Sequence, residues 1–326
     1  MEIVIYLVVF VFTFGVTFLV FPLIIPALKE NGVVGKDMHK PGMPEIPEMG
    51  GLGMVSGFCA GIILAIGLKV FLDNKIPLDI VSLLAVLGTV LMISLIGIFD
   101  DLIKIRQGVK TLMPFFAALP LMAIKAGHTT MRIPFIGMVD FGPFYTFFLI
   151  PLGVTGAANG VNMLAGFNGL EVGMGSIAII TLAVVAYLAK SMTAFVILII
   201  ALGAFLATLY YNWYPAKIFI GDVGTLSIGA IIASAVIIGN METAGVIIII
   251  PYFLDFLIKA INRLPSKGWW GIYNNGKLYC PESGPVGLGQ LIMKIAGGIS
   301  ERNLVLTLMG IEAFFGIIAI LIFLMK

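Results

Sequence analysis

The chain has 326 residues, of which 60% are hydrophobic and only 11% charged, and its mean hydropathy is +1.12. A water-soluble domain carries about 25% charged residues, so hydrocarbon must be the main solvent here, which excludes an ordinary soluble enzyme. The net charge of +2 says little about partners, since where charges fall matters more than their sum; no nucleic acid is expected.

Ten segments are apolar enough and close enough to 20 residues to cross a bilayer, roughly 3–27, 50–72, 78–99, 110–126, 143–162, 172–189, 192–212, 222–240, 243–263 and 303–325. The first has no basic n-region and no small-residue cleavage site, so it reads as a span and not as a signal peptide. Several contain Gly or Pro, which membrane helices tolerate when neighbours satisfy the backbone. The expected fold is therefore all-α, a polytopic membrane protein of ten transmembrane helices forming a single domain over residues 1–326. The cysteines, Cys59 and Cys280, fall in an apolar segment and a polar loop, so no disulfide is expected between them.

Ten spans place the connections at about 28–49, 100–110, 163–171, 213–221 and 264–302 on one side. Those connections hold Lys29, Lys36, Lys40, Lys104, Arg106, Lys110, Lys217, Arg263, Lys267, Lys277, Lys294 and Arg302, against Lys75, Arg132 and Lys190 opposite. The positive-inside rule makes the first set cytoplasmic and puts both termini outside. Every chemically unusual sequence (KDMHKPGMPEIPE, FDDLIKIRQGVK, NGVNMLAGFNGLE, IFIGDVG) falls on that same side. A secondary transporter would place polar residues near the midplane in repeated halves. One-sided chemistry points instead to an enzyme that uses a cytosolic substrate at the membrane surface.

In chain order, the 28–48 loop looks like a substrate cover. Asp100 and Asp101 end the third span, where a helix C-terminus repels negative charge. With Lys104, Arg106 and Lys110 they combine carboxylates with phosphate-binding cations, although a solvated helix end carries the same residues. Asn159 and Asn162 form an i,i+3 pair on one face of the fifth span and could ligate a metal or read a base edge. Glu171 suits a helix start. Tyr210, Tyr211, Trp213 and Tyr214 read as an interfacial aromatic belt. Asp222, between Gly221 and Gly224, is either an N-cap or a carboxylate for a Mg²⁺ ion that bridges phosphates.

Asp255 and Lys259 are an i,i+4 pair, and Arg263 could clamp a diphosphate. Trp269 and Trp270 could stack on a sugar, but read more readily as interfacial anchors. Neither His39 nor His128 has an evident partner. Glu312, an ionisable residue within the last span, invites a functional role.

Together these segments resemble the polyprenyl-phosphate N-acetylhexosamine-1-phosphate transferases of glycosyltransferase family 4. LAGFNGLE and IPE are most similar to the dolichyl-phosphate GlcNAc-1-phosphotransferase branch. Ala165 stands where bacterial cell-wall members carry an acid, and the 264–302 loop has no histidine cluster. The short chain suggests an archaeal member in the cell membrane; a eukaryotic one would sit in the endoplasmic reticulum membrane.

The resemblance implies transfer of GlcNAc-1-phosphate from UDP-GlcNAc to a polyprenyl (dolichyl) phosphate, with release of UMP. The same reaction on another UDP-N-acetylhexosamine, or in cell-wall precursor synthesis, is the alternative within the family. A lipid or solute transporter is the alternative outside it. Implied catalytic residues are Asp100, Asp101 and Lys110, and Asn162 and Asp222 would hold Mg²⁺, with Mn²⁺ as a substitute. Implied substrate-binding residues are Lys36, Asp37, Met38, Glu48, Lys104, Asn159, Asn168, Asn262 and Arg263. Expected partners are UDP-GlcNAc, the polyprenyl phosphate and membrane lipids; the sequence leaves a homodimer open.

Overall fold

A computed structural model describes residues 2–72, 77–103, 105–133, 136–265 and 268–325. Lys75, Lys104 and Lys267 lie outside the described residues. The chain runs α1 (Glu2–Glu30), β1 (Val34–Lys36), β2 (Glu45–Pro47), α2 (Gly51–Phe71), α3 (Ile80–Ile103), α4 (Gln107–Ala117) and α5 (Leu119–Ala123). It continues through β3 (Thr130–Ile133), β4 (Gly137–Asp140), a π-helical turn at Tyr145–Leu149, α6 (Ile150–Leu164), α7 (Leu170–Leu188), α8 (Met192–Asn212) and α9 (Gly221–Gly239). The last elements are α10 (Glu242–Ile248), α11 (Ile250–Ile261), β5 (Ile272–Asn274), β6 (Lys277–Tyr279), α12 (Leu288–Ala296) and α13 (Glu301–Leu324). The strands form three separate antiparallel hairpins in the connections.

Backbone groups in hydrocarbon must be satisfied within their own segment, so the apolar runs become helices. Among the described residues, eight are long and apolar enough to cross a membrane, or nine if α10 and α11 count as one span bent by 51°. The bend falls just before Pro251 in the first turn of α11, where proline removes a backbone donor. The fourth expected segment is not one continuous helix. It breaks at Ala118 into α4 and α5, with Pro114 inside α4 and Pro120 at the start of α5.

Helix α9 is the centre of the bundle, with 83% of the residues in its apolar 18-residue stretch buried, and it is packed by α3 and α6. That approach depends on missing side chains. A Cβ on Gly97 of α3 would lie 2.5 Å from the Val223 backbone, and one on Gly229 of α9 would lie 2.3 Å from the Ala157 carbonyl oxygen. The expected aromatic belt is split by packing. Tyr210 stays exposed, whereas Tyr211 is buried with its ring 4.7 Å from Phe21, and Trp213 packs on Gly169. The end of α8 thus turns Tyr211 and Trp213 into the protein and leaves Tyr210 and Tyr214 exposed, so only those two keep the expected interfacial position. The Asp255–Lys259 pair forms at 2.7 Å, both cysteines are free, and Glu312 is wholly buried in α13.

Gly97→Leu should force α3 off α9, at a cost of about 1–3 kcal/mol or more. Gly67→Ala on α2, where an added Cβ meets nothing within 4 Å, should be neutral. Thermal unfolding of the detergent-solubilised protein checks the pair; equal melting temperatures would refute the close-packing account.

Candidate active site

The site begins where α3 ends. Asp100 is buried and accepts a hydrogen bond from the Ile105 amide at 2.7 Å, which fixes the turn that leaves the helix. Its neighbour Asp101 faces α9. The Asp101 carboxylate accepts from the backbone amides of Asp222 at 2.9 Å and Val223 at 3.3 Å. It therefore caps α9 from a different helix and satisfies amides that the helix itself leaves free. Gly221 permits this approach: it has φ +65°, and a Cβ there would lie 2.6 Å from Asp101 Oδ2.

Capping sets the direction of the Asp222 side chain. Lys110, one turn into α4, places its ammonium 2.6 Å from Asp100 Oδ2 and 2.5 Å from Asp222 Oδ2. Asn162 of α6 donates to the other oxygen of Asp222 at 2.5 Å and to the Thr225 hydroxyl at 2.7 Å. Four helices thus meet through one network. Asn159, one turn before Asn162, donates to the Thr111 carbonyl at 3.0 Å and the Thr155 carbonyl at 2.9 Å. The first of these bonds ties α4 to α6 beside Lys110.

A second cluster lies nearby. Lys40 donates to Asp37, to Asn168 Oδ1 at 2.8 Å and to Glu301 at 3.3 Å. Asn168 also accepts from the Ala216 amide at 2.7 Å, donates to Asp37 at 3.3 Å, and its own amide donates to Glu301 at 2.8 Å. His39 is buried with Nδ1 3.5 Å from Glu301 and its ring 4.6 Å from Phe167. The Asn168 side chain is thereby engaged within the protein, joining the first connection, the loop before α7, the loop after α8 and the start of α13.

No sequence pattern assigns a role to His39, Lys40 or Glu301. His39 and Lys40 follow Asp37 directly, which was the available signal. Glu301 is 261 positions from Lys40, and no local pattern joins them.

One cavity of about 1230 Å³ connects these parts. Its polar end is lined by Lys36, Asp37, Met38, His39, Glu48, Asp101, Lys110, Asn159, Asn162, Glu171 and Asp222. Glu171 stands in the first turn of α7, as expected, and accepts a hydrogen bond from the Gly166 amide. Trp269 and Trp270 belong to the cavity wall, and Trp269 packs over Gly166 and edge-on to Phe167 at 6.0 Å.

Asn262 holds the last loop by donating to the Pro285 carbonyl at 3.2 Å, while Arg263 is exposed and outside the cavity lining. Lys259 takes the inward position instead, paired with Asp255 and donating to the Met163 carbonyl. From the polar end the cavity continues as an apolar groove between α6, α9, α10 and α11, lined by Leu149, Leu152, Ile232, Val236, Val246 and Phe253. Leu152, Val246 and Phe253 are more than half exposed, so the groove opens sideways toward lipid.

The family model for glycosyl transferase family 4 matches residues 83–240, the stretch that carries α3 to α9. A Saccharolobus solfataricus protein assigned the name UDP-N-acetylglucosamine–dolichyl-phosphate N-acetylglucosaminephosphotransferase is 38% identical, covering 95% of this chain and 94% of its own. A Sulfolobus acidocaldarius protein assigned the same name is 36% identical over 94% of this chain and 93% of its own. The Dictyostelium discoideum protein of that name is 28% identical over 90% of this chain and 83% of its own.

Removing the Asp101 cap should cost about 0.5–2 kcal/mol and misplace Asp222. Asp101→Ala should therefore lower both melting temperature and turnover. Asp101→Asn keeps an acceptor oxygen and should retain most of both. An Asp101→Asn variant that is stable yet as inactive as Asp101→Ala would show that the charge itself takes part in chemistry.

Proposed function

We propose that this chain, which belongs to glycosyl transferase family 4, transfers GlcNAc-1-phosphate from UDP-GlcNAc to a polyprenyl phosphate of the dolichyl type, releasing UMP. The observation that carries the reading is the continuity of the cavity. A polyprenyl phosphate is an anionic head on a hydrocarbon tail, and here a pocket of acids, amides and a lysine runs unbroken into an apolar groove open to lipid. The near-full-length similarity to relatives named for this reaction supports it. The product would be a polyprenyl-diphosphate-GlcNAc, the starting lipid for oligosaccharide assembly toward N-glycosylation.

In the transfer, a lipid phosphate oxygen bonds to the β-phosphorus. The bond from that phosphorus to the bridging oxygen breaks, and its electron pair leaves with UMP. Phosphoryl transfer depends mainly on positioning and charge neutralisation. The lipid phosphate has a second pKa near ~6, so at neutral pH the nucleophile is largely ionised already. Lys110 offers the positive charge that offsets repulsion between the two anionic substrates. Asp100 holds Lys110 in place, Asn159 braces the helix that carries it, and Asp101 aims Asp222. Lys36, Met38 and Glu48 line the same end of the cavity, where the nucleotide-sugar would lie.

Mg²⁺ is the expected cofactor, with Mn²⁺ as an alternative, and the donor set fits a hard cation. Asp100, Asp101 and Asp222 bring three carboxylates against the single ammonium of Lys110, and the Asp222 side chain is 23% exposed. Asp222 and Asn162 would hold the ion, which when bound would neutralise the diphosphate. We also infer ten spans, α4 and α5 forming the fourth. Lys110 meets Asp222 at the start of α9, and Gly127 packs against the Ile237 carbonyl near its end, so residues 110–127 traverse the depth of α9. The lysine and arginine distribution supports a cytoplasmic polar end for the cavity, and the archaeal relatives favour the cell membrane.

Purified protein given UDP-GlcNAc, dolichyl phosphate and Mg²⁺ should release UMP, and chelation of the metal should stop it. Asp100→Ala should lower turnover at least about 100-fold, the loss of one transition-state interaction of roughly 3 kcal/mol, with UDP-GlcNAc binding retained. Absence of UMP across several lipid acceptors and sugar donors would overturn the enzyme reading and leave a lipid or solute transporter.

On α6, Gly153 and Gly156 line the groove, and a Cβ on either meets nothing within 4 Å. Gly156→Leu should fill the groove and raise the KM for polyprenyl phosphate about tenfold, equivalent to ~1.4 kcal/mol, leaving the KM for UDP-GlcNAc unchanged. An equal rise in both would place the lipid tail elsewhere.

A further inference from the structure

The groove that receives the lipid tail is apolar along its length but ends on a polar pair. Tyr145 is 2% exposed, and its hydroxyl donates to Glu242 Oε1 at 2.7 Å. Both residues line the far end of the cavity. The pair is held from behind by Gly127. A Cβ on that residue would lie 2.5 Å from the Tyr145 hydroxyl oxygen and 2.8 Å from the Ile237 carbonyl oxygen. The chain at Gly127 therefore abuts the phenol and the last turns of α9, which leaves no room for the tyrosine to swing back. Glu242 stands in the first turn of α10, just after the Asn240–Met241 connection that leaves α9.

This wall is a poor surface for a hydrocarbon chain. An alkyl tail pushed past the wall would have to part the phenol from the carboxylate, breaking their hydrogen bond without replacing it, which is costly in an apolar setting. The wall also lies at a definite distance from the reacting end. Asp222 and Ile237 are both on α9, and the helix rise of 1.5 Å per residue puts them about 22 Å apart. An extended isoprene unit adds four chain bonds of ~1.5 Å each, or roughly 5 Å along the chain. About four to five units then fit between the phosphate end and the wall. Longer tails have an exit, because Leu152, Val246 and Phe253 leave the side of the groove open to lipid.

We propose that the Tyr145–Glu242 pair is a polar stop that ends the groove and makes the protein read only the four to five isoprene units nearest the phosphate. The inference rests on the transferase reading and adds to it a rule for acceptor length. All units of the free lipid lie in hydrocarbon, so units inside the groove gain only fixed packing contacts with its walls, and units beyond the stop gain none. Each unit gained inside exchanges loose lipid or detergent contacts for close packing against the groove walls and should raise kcat/KM a few-fold; each unit gained outside should change it little.

The test uses the full chain in detergent with a graded set of polyprenyl phosphates, from two isoprene units to eleven, and UMP release as readout. Wild-type protein should show kcat/KM rising a few-fold per unit to about four or five units and then levelling. Tyr145→Ala combined with Glu242→Ala should move the break to longer chains by one or two units and leave the KM for UDP-GlcNAc unchanged. Tyr145→Phe keeps the ring in place and should keep the wild-type break. A wild-type profile that climbs without a break through eleven units, or that is flat from two units onward, overturns the stop even if the double variant fails to fold. A well-folded double variant with an unshifted break overturns it as well. Loss of UMP release with every acceptor would instead count against the transferase reading itself.

Discussion

An ammonium held between two carboxylates at the mouth of a membrane bundle is an expensive thing to build. Lys110, Asp100 and Asp222 come from three helices, and each loses much of its water on packing. Buried ion pairs contribute little net stability compared with apolar packing, so this one is not explained as a fastening. Its other consequence is positional. The network can close only if α4 reaches α3 and α9 together, and only if α3 lies close enough to α9 for Asp101 to cap it. The missing side chain of Gly97 and the left-handed backbone at Gly221 are the local conditions for that closeness. The same network sets three carboxylates, Asp100, Asp101 and Asp222, beside the ammonium of Lys110.

The second cluster performs a related task with different groups. Asp37, His39 and Lys40 come from the first connection, Asn168 from the loop before α7, and Glu301 from the start of α13. Their hydrogen bonds are made to one another, so the cluster acts as a joint that shapes one wall of the cavity. Asn168, which family resemblance assigns to the nucleotide base, spends its side chain on Lys40, Asp37 and the Ala216 amide. Its influence on a bound base would run through the wall it fixes. Trp269 continues that wall by filling the space above Gly166.

The shape of the cavity answers the chemistry of an amphiphile. A phosphate on a long hydrocarbon needs charge at one end and an apolar trough at the other, with a side open to the bilayer for a tail too long to enclose. The bend between α10 and α11 and the glycines of α6 together make that trough. Tyr145 and Glu242, joined by their hydrogen bond, line it at the end of α9 away from Asp222.

Much of this was legible in the sequence. The apolar runs dictate membrane helices, because hydrocarbon leaves no other partner for the backbone, and FDDLIKIRQGVK, NGVNM and IFIGD mark their polar ends. The pairing of Asp255 with Lys259 and the place of Glu171 at a helix start are likewise local matters of helical spacing. What only the tertiary structure decided is how distant segments share those residues. Asp101 became a cap because α9 begins beside it. Lys259 rather than Arg263 turned inward because the chain leaves the helix at Asn262. Tyr211 became core and Trp269 became cavity wall because the elements they face arrive from far away in the chain. Local pattern fixes which residues can do chemistry, whereas which of them face the same space depends on contacts between helices, and such contacts leave no period in the sequence.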